Sequence, residues 1–184
     1  MKILFIIDID NTVAENAQRT HLLPNWEAFF KSCDTDTSIT PILNAIEPYL
    51  KHSDIEVMFI TGREEYDEVK HKTQMWLEQR NISGYPIHYR AHNEYSKSFI
   101  FKERVLSRVH KPEHKYVVIL DDDEGIIKHF TTLGHTAIQV KRDNDYLDTC
   151  KELKTALNSL IDKLNLGKNL NSKPNLQGNL EVST

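Results

Sequence analysis

Five short apolar runs alternate with stretches of helical spacing, and this alternation limits the possible folds more than any other feature of the chain. The runs occupy residues 2–7, 55–60, 86–89, 116–120 and 136–140. Residues 42–51, 64–80, 98–109, 124–133 and 146–164 place apolar side chains at helical spacing. Buried parallel strands are apolar throughout and are joined by helical crossovers. The pattern therefore predicts an α/β fold, an open parallel Rossmann-like sheet of about five strands with helices on both faces.

One domain accounts for most of the chain, because 184 residues bury one core comfortably but not two. We assign residues 1–166 to this domain. Residues 167–184 are rich in Asn, Gly, Ser and Pro without a periodic apolar face, which predicts a disordered tail. Residues 13–41 have too little periodicity for a separate domain. We expect them to form a small flap over the edge of the sheet, since a long segment after a first strand is usually functional.

Composition excludes several classes of protein. The net charge of −4 provides no global field for attracting polyanions, so any contact with nucleic acid must be local. The two cysteines, Cys33 and Cys150, make neither a disulfide framework nor a zinc site, which fits a reducing cytoplasm. No apolar stretch approaches the ~20 residues that span a bilayer. We therefore expect a cytoplasmic protein without membrane contact.

Polar side chains follow three of the predicted strands at their carboxyl ends. The first strand runs into Asp8 and Asp10, the second into Thr61 and Arg63, and the fourth into three acids at 121–123. Ligands of open α/β sheets bind at this edge. Clustered carboxylates repel one another and lose hydration unless a cation lies among them. Oxygen ligands without a His or Cys cluster indicate Mg²⁺ rather than zinc.

Each of these motifs has a structural explanation when it is taken alone. Residues 8–12 could form a loop of solvated acids. The Thr-Gly-Arg run could simply mark the end of a strand, because glycine commonly ends strands. The acids at 121–123 could favour a helix N-terminus. A calcium-binding EF-hand loop is excluded, since Val13 and Ile126 stand where that loop needs glycine. Three such motifs, each at a strand end and in this order, predict an active site.

Together the motifs resemble the signature of the haloacid dehalogenase-like (HAD) superfamily. The matching features are Asp-x-Asp-x-Thr at 8–12, Thr61, a lysine, and the acid pair Asp121 and Asp122. This resemblance implies a hydrolase, a phosphatase that depends on Mg²⁺.

A closer resemblance is to the phosphatase domain of phage polynucleotide kinase/3′-phosphatases and its small phage and bacterial relatives. It is carried by Thr-Gly-Arg-Glu at 61–64, by Arg90 after the third predicted strand, and by Phe-Lys-Glu-Arg-Val-Leu at 101–106. The flap sequences at 26–30 and 33–36 are similar as well. The resemblance extends over roughly residues 3–141, and its implied substrate is a phosphorylated nucleotide or nucleic-acid end.

The resemblance implies roles for nine residues in three groups. These are the catalytic Asp8, Asp10, Thr61 and Lys102, the substrate-binding Thr12, Arg63 and Arg90, and the metal ligands Asp8, Asp10, Asp121 and Asp122. Asp8 would attack phosphorus and form an aspartyl-phosphate. Asp10 would protonate the leaving oxygen and later deprotonate the attacking water. Thr61 and Lys102 would bind the phosphoryl oxygens as charge moves.

Two residues depart from the family's pattern. Asn11 stands where the family usually has glycine, and Asp123 stands where the kinase-linked enzymes have arginine. Asparagine tolerates left-handed backbone angles, so we expect the turn at Asn11 to be kept. With Asp123 in place of that arginine, the substrate side of the site lacks a positive charge that the kinase-linked enzymes have.

Two assignments have alternatives. Lys97 and Lys102 both lie at the start of one predicted helix, and the sequence context favours Lys102 as the motif lysine. We expect Trp26, Phe29 and Phe30 to pack the flap down, with base stacking as the alternative role.

The sequence is compatible with three functions. The first is removal of a 3′-phosphate from a nucleic-acid end or a nucleotide, with no obligate protein partner evident. The second is hydrolysis of an unrelated small phosphate ester. The third is a receiver-like phosphoacceptor module, which is disfavoured because in receivers the acid pair follows the first strand. The short flap leaves the site open to long substrates, which favours the first function.

Overall fold

The computed structural model describes residues 1–171, apart from the side chains of Asp143 and residues 169–171. Within this part the strands are β1 Lys2–Ile7, β2 Ala14–Glu15, β3 Thr37–Ser38, β4 Ile55–Glu64, β5 Ile87–Arg90, β6 His114–Asp121 and β7 Thr136–Gln139. Five of them form one sheet in the order β5-β4-β1-β6-β7, and every neighbouring pair in it is parallel. The predicted open parallel sheet is confirmed.

The α-helices of the described part are α1 Trp26–Lys31, α2 Thr40–Leu50, α3 Asp67–Glu78, α4 Ser98–Val109, α5 Glu124–Thr132 and α6 Leu147–Asn171. α4 has the predicted bounds. α1 begins after Asn25, whose side chain accepts a hydrogen bond from the backbone N–H of Ala28 at 3.1 Å. Such a cap satisfies a donor that the first turn would leave unpaired. None of these helices is long and apolar enough to cross a membrane.

Helices cover both faces of the sheet, as the alternating pattern predicted. Successive side chains of a strand point to opposite faces. Ile3, Phe5 and Ile7 of β1 accordingly belong to one core cluster with apolar residues of α2 and α6. Leu4 and Ile6 belong to a second cluster with residues of α4 and α5. Burial on both faces explains why the sequence of β1 is apolar throughout.

The segment 13–41 is held at its base by the antiparallel pair of β2 and β3. Between these short strands lie α1 and two 3₁₀ turns, Ala17–Leu22 and Cys33–Thr35. Phe29, Phe30 and Cys33 pack against Val69 of α3 in a small apolar cluster of their own. This cluster attaches the segment to the body of the domain.

Most element boundaries lie within three residues of the sequence-based expectation, and two differ by more. β4 continues through residues 61–64 instead of ending at residue 60, because its edge partner β5 pairs again at Glu64 and Arg90 after a register shift. α6 extends to Asn171, so residues 167–171 of the expected tail are helical. There Lys168 Nζ lies 2.6 Å from Asp54 Oδ1. Residues 172–184 of the expected tail lie outside the described part of the chain.

Candidate active site

Neighbouring strands bring the predicted acids together at the carboxyl edge of the sheet. Asp8 follows β1 and Asp121 ends β6, and the backbone N–H of Asp8 donates to the carbonyl of Leu120 at 3.0 Å. Carboxylate oxygens of Asp8, Asp121 and Asp122 all lie within 4.8 Å of one another. They line an open cavity of about 640 Å³. This volume is in the usual range for a small-molecule site.

Lys102 of α4 lies directly against these carboxylates. Its Nζ donates to Asp8 Oδ1 at 2.6 Å and to Asp121 Oδ2 at 2.5 Å, and its side chain is buried. Lys97 also lines the cavity, but it is the N-cap residue of α4 and its side chain is exposed. The structure thus places Lys102, and not Lys97, in contact with the acids.

The acid cluster carries more negative charge than one lysine offsets. Burial raises the pKa of Asp8 well above its ordinary value despite the nearby ammonium of Lys102, and the charges of Asp121 and Asp10 add to the effect. Burial and the charge of Asp121 raise the pKa of Asp122 to about 6. Three crowded carboxylates that offer only oxygen ligands are a donor set that fits Mg²⁺.

Asp10 is held by a buried network of ion pairs that the sequence analysis missed. Arg63 Nε and Nη2 donate to the two carboxylate oxygens of Asp10, each at 3.0 Å. Arg19 of the flap pairs with Asp10 as well. Both guanidinium groups also reach Asp36, with Arg19 Nε and Arg63 Nη2 each 2.7 Å from its carboxylate. The network connects the flap directly to the loop after β1.

Two cations around Asp10 determine its ionisation. Burial by itself would raise the pKa of Asp10, but the guanidinium groups of Arg63 and Arg19 outweigh burial and hold the pKa below its ordinary value. Asp36 differs, since burial raises its pKa although both arginines contact it. Asp10 is therefore held as a carboxylate in the absence of substrate.

Arg63 and Thr12, both predicted to bind substrate, do not line the cavity. Arg63 is fully buried, and its donors bind Asp10, Asp36 and the Thr73 hydroxyl of α3. Because β4 continues through Arg63, strand alternation turns this side chain inward beneath α3. The predicted substrate-binding role of Arg63 stays a prediction, and its contacts indicate a second role in positioning Asp10. Thr12 is fully buried too, and in the described part of the chain its Oγ1 alone among buried side-chain N and O atoms lacks a hydrogen-bond partner.

Thr61 lies deeper below the protein surface than Arg90. Thr61 is fully buried next to Gly62, which lines the cavity, and its Oγ1 accepts from the backbone N–H of Arg63 at 3.2 Å. Arg90 lies at the end of β5, half-buried, and lines the cavity. Its Nη1 donates to the carbonyl of Ser96 at 2.7 Å, which fixes the loop between β5 and α4.

Residues 3–146 match the family described as the polynucleotide kinase PNKP phosphatase domain. The chain belongs to this family. It is a phosphatase domain of the HAD superfamily, as the sequence motifs had indicated. No curated protein matches the chain at a significant level of sequence similarity.

Solved structures share the fold of this chain. A chain of the Pnkp1/Rnl/Hen1 complex superposes with a TM-score of 0.63 at 23% identity, over 76% of this chain and 46% of that one. The HAD domain of the effector Lem4 from Legionella pneumophila superposes with a TM-score of 0.50 at 17% identity, over 84% of this chain and 94% of that one. The PNKP-type domain thus spans less than half of the Pnkp1/Rnl/Hen1 chains that it matches.

The two departures from the family pattern have local structural explanations in this PNKP-type domain. Asn11 has a φ of 57°, which confirms the left-handed turn that was predicted for it. Asp123 is the N-cap of α5, where its Oδ1 accepts from the backbone N–H groups of Gly125 at 2.7 Å and Ile126 at 3.1 Å. Asp123 therefore stabilises the helix that follows the acid pair.

The aromatic side chains of the flap divide into two groups in this PNKP-type domain. Phe29 and Phe30 are buried and attach the flap to α3, as expected. Trp26 packs on these two rings and lines the same cavity as they do, but it is 55% exposed. One turn of a surface helix points its side chains in several directions, and the short α1 has no periodic pattern from which the direction could be read.

Proposed function

We propose that this PNKP-type phosphatase domain is a Mg²⁺-dependent phosphomonoesterase that removes 3′-phosphates from nucleic-acid ends or nucleotides. The observation that carries the proposal is the convergence of Asp8, Asp121 and Lys102 within hydrogen-bond distance at an open cavity. A nucleophile, a metal ligand and a phosphate-binding cation in one place are what phosphoryl transfer requires.

The acid cluster would hold the metal ion. Asp8, Asp121 and Asp122 would be its side-chain ligands, together with the backbone carbonyl of Asp10. Their mutual proximity and oxygen-only chemistry support this assignment. When bound, Mg²⁺ supplies positive charge that screens the attacking carboxylate from the anionic phosphate.

Asp8 would carry out the first step as a nucleophile. A carboxylate oxygen of Asp8 forms a bond to phosphorus while the bond from phosphorus to the ester oxygen breaks, which gives an aspartyl-phosphate and an alcohol. Lys102 would bind the phosphoryl oxygens, and the Thr61 hydroxyl can donate to them while it accepts from Arg63.

Asp10 would transfer the protons in both steps. A bound phosphate places negative charge beside Asp10 and shifts its pKa upward, which opposes the effect of the arginines and allows protonation. The protonated form gives its proton to the leaving oxygen. The resulting carboxylate then takes a proton from water, whose oxygen attacks phosphorus and releases phosphate from Asp8. Arg19 and Arg63 would keep Asp10 in one orientation through both steps.

A substrate panel tests the proposal. The full chain is assayed with Mg²⁺ on 3′-phosphorylated oligonucleotides, nucleoside 3′- and 5′-monophosphates and sugar phosphates. We expect 3′-phosphates to be the best substrates, and we expect a chelator to abolish activity until Mg²⁺ or Mn²⁺ is restored. Uniformly faster hydrolysis of simple sugar phosphates would instead support the alternative function, a phosphatase for small esters. Phosphate release that persists with the chelator would refute the metal assignment.

A further inference from the structure

We propose that Trp26 of the flap and Tyr95 of the loop between β5 and α4 form an aromatic subsite that stacks on the nucleobase of the leaving group. This inference rests on the proposed phosphatase function. It assigns to two exposed side chains the recognition of a base next to the scissile phosphate.

The exposure of these two aromatic residues is unusual for residues of their size. Trp26 is 55% exposed and Tyr95 is 85% exposed, yet both line the cavity that contains Asp8 and Lys102. Large apolar groups at a cavity that also contains reactive polar groups are typical of a binding site. Every nucleobase has a flat face that stacks on such rings without regard to sequence.

Trp26 is supported from below by buried rings. Its ring centroid lies 5.7 Å from that of Phe29 and 5.8 Å from that of Phe30. Contacts at these distances restrict the indole while more than half of its surface stays exposed to solvent. A ring that is positioned before the ligand arrives loses little entropy on binding.

The same rings connect the subsite to the proton-transfer group. The guanidinium carbon of Arg19 lies 4.1 Å from the centre of the Phe29 ring, and Arg19 pairs with Asp10. Packing therefore runs from Trp26 through Phe29 and Arg19 to Asp10. A base stacked on Trp26 would be held at a fixed place relative to the group that protonates the leaving oxygen.

Electrostatics favours neutral contacts for the leaving group. Acidic side chains outnumber basic ones along the cavity, where the basic residues are Arg90, Lys97 and Lys102. Lys102 binds Asp8 and Asp121, and Arg90 binds the carbonyl of Ser96. With Arg90 and Lys102 assigned to the scissile phosphate, Lys97 is left for the rest of a polyanion and offers it little attraction. Binding energy for the part of the substrate beyond the phosphate must then come mainly from stacking.

The test compares a nucleoside 3′-monophosphate with the corresponding base-free sugar 3-phosphate in the full chain with Mg²⁺. We expect a preference in kcat/KM for the base-bearing substrate on the order of tenfold, the size of one stacking contact. Trp26→Ala and Tyr95→Ala should each lower this preference toward one, mainly through KM. Trp26→Phe should retain most of it. Leu133→Ala is the matched control, since Leu133 is 46% exposed and does not line the cavity.

Tryptophan fluorescence gives a readout that does not depend on turnover. The chain has two tryptophans, and Trp76 is only 1% exposed, so an added nucleotide should quench mainly Trp26. In an Asp8→Asn background, a nucleoside 3′-monophosphate should quench the emission and the base-free phosphate should not. Trp26→Phe should remove the response.

The results of these two experiments distinguish a failure of the stacking subsite from a failure of the proposed phosphatase function. The stacking subsite would be overturned if the wild type hydrolysed both substrates with equal kcat/KM, or if neither alanine variant changed the preference. Either result would leave the phosphatase function intact. Quenching by nucleotide without hydrolysis of any phosphate ester would support the subsite and overturn the phosphatase. Absence of both hydrolysis and quenching would overturn both.

Discussion

Asp8 and Asp10 are two residues apart in the chain but have opposite electrostatic surroundings. Burial and neighbouring acids raise the pKa of Asp8, whereas the guanidinium groups of Arg63 and Arg19 overcome burial and lower the pKa of Asp10. Environments that separate the pKa values of two carboxyl groups in this way commonly give the two groups different chemical roles. The chain turns at Asn11, directly after Asp10, where the backbone is left-handed.

Replacement of the nucleophile is the first prediction. Asp8→Asn keeps the size of the side chain but removes its charge, so no aspartyl-phosphate can form. We expect phosphate release to fall by about 10³-fold or more at saturating Mg²⁺. Circular dichroism should show an unchanged fold. Appreciable remaining turnover would mean that Asp8 is not the nucleophile.

The second prediction concerns the leaving group. Asp10→Asn retains the nucleophile but cannot protonate the leaving oxygen, a contribution that is worth about 10²–10⁴-fold when the leaving group is poor. A nucleoside 3′-monophosphate should therefore lose far more activity than p-nitrophenyl phosphate, whose leaving group needs little protonation. The comparison should be made on the first step, by pre-steady-state release of the alcohol. Equal losses for both esters would argue against an acid role.

Arg63 and Arg90 provide a matched pair for the third prediction. Arg63→Gln breaks a buried network, so the free energy of unfolding should fall by about 3–5 kcal/mol, as for other buried ion pairs that lose one partner. Its kcat should fall while KM changes little, because Asp10 loses its orientation. Arg90→Gln, at the cavity wall, should instead raise KM. Urea denaturation and steady-state kinetics measure both, and a raised KM alone in Arg63→Gln would support the substrate-binding role.

At the scale of elements, the flap is attached by two different kinds of contact. Phe29 and Phe30 attach it to α3 by apolar packing, while Arg19 and Asp36 attach it to the strand ends by charge. The charged contacts are buried, and buried charges are costly when their partners move away. The flap is therefore fixed relative to Asp10 rather than free to swing.

α6 is the element whose length differed most from expectation, and it provides the fourth prediction. Leu164 is fully buried in the core, whereas Leu166 is 64% exposed. Leu164→Ala should lower the free energy of unfolding by about 2–5 kcal/mol because it leaves a cavity. Leu166→Ala should change it by less than about 0.5 kcal/mol. Urea denaturation of both variants gives the comparison, and equal effects would place the end of α6 away from the core.

At the scale of the whole molecule, charge limits how the domain can bind a polymer. The chain has a net charge of −4, and the cavity is richer in acids than in bases. Within the described part of the chain, the residues that line this cavity provide no basic track for a nucleic-acid backbone. The scissile phosphate and its neighbouring nucleoside would then supply most of the binding energy.

Salt dependence is the fifth prediction and follows from this distribution of charge. The measurement is the binding constant of the Asp8→Asn variant for a 3′-phosphorylated oligonucleotide at several salt concentrations. A plot of its logarithm against the logarithm of salt concentration should have a slope near −1, since each phosphate contact on a single strand contributes roughly −0.7. Oligonucleotides and nucleoside 3′-monophosphates should be cleaved with similar efficiency. A slope steeper than about −4 would reveal a basic track that crosses the surface.

The sequence by itself determined what depends on local pattern. Apolar runs specified the parallel sheet, and α4 has the predicted bounds. Asp8 and Asp121 could be placed together because the carboxyl ends of parallel strands meet at one edge of a sheet. Lys102 could be preferred from its neighbours in sequence. These inferences need only the strand order and the direction of each element.

The tertiary structure alone decided which charges become partners. Arg19 and Asp36 lie in an irregular segment, where no period of two or 3.6 residues indicates which side chains are buried. Asp36 pairs with Arg63 from 27 positions away, and Arg63 reaches Asp10 from 53 positions away. The same absence of periodicity concealed that Trp26 is exposed at the cavity while Phe29 and Phe30 beside it are buried. Burial in such a segment is set by what packs against it, and that information lies in the rest of the fold.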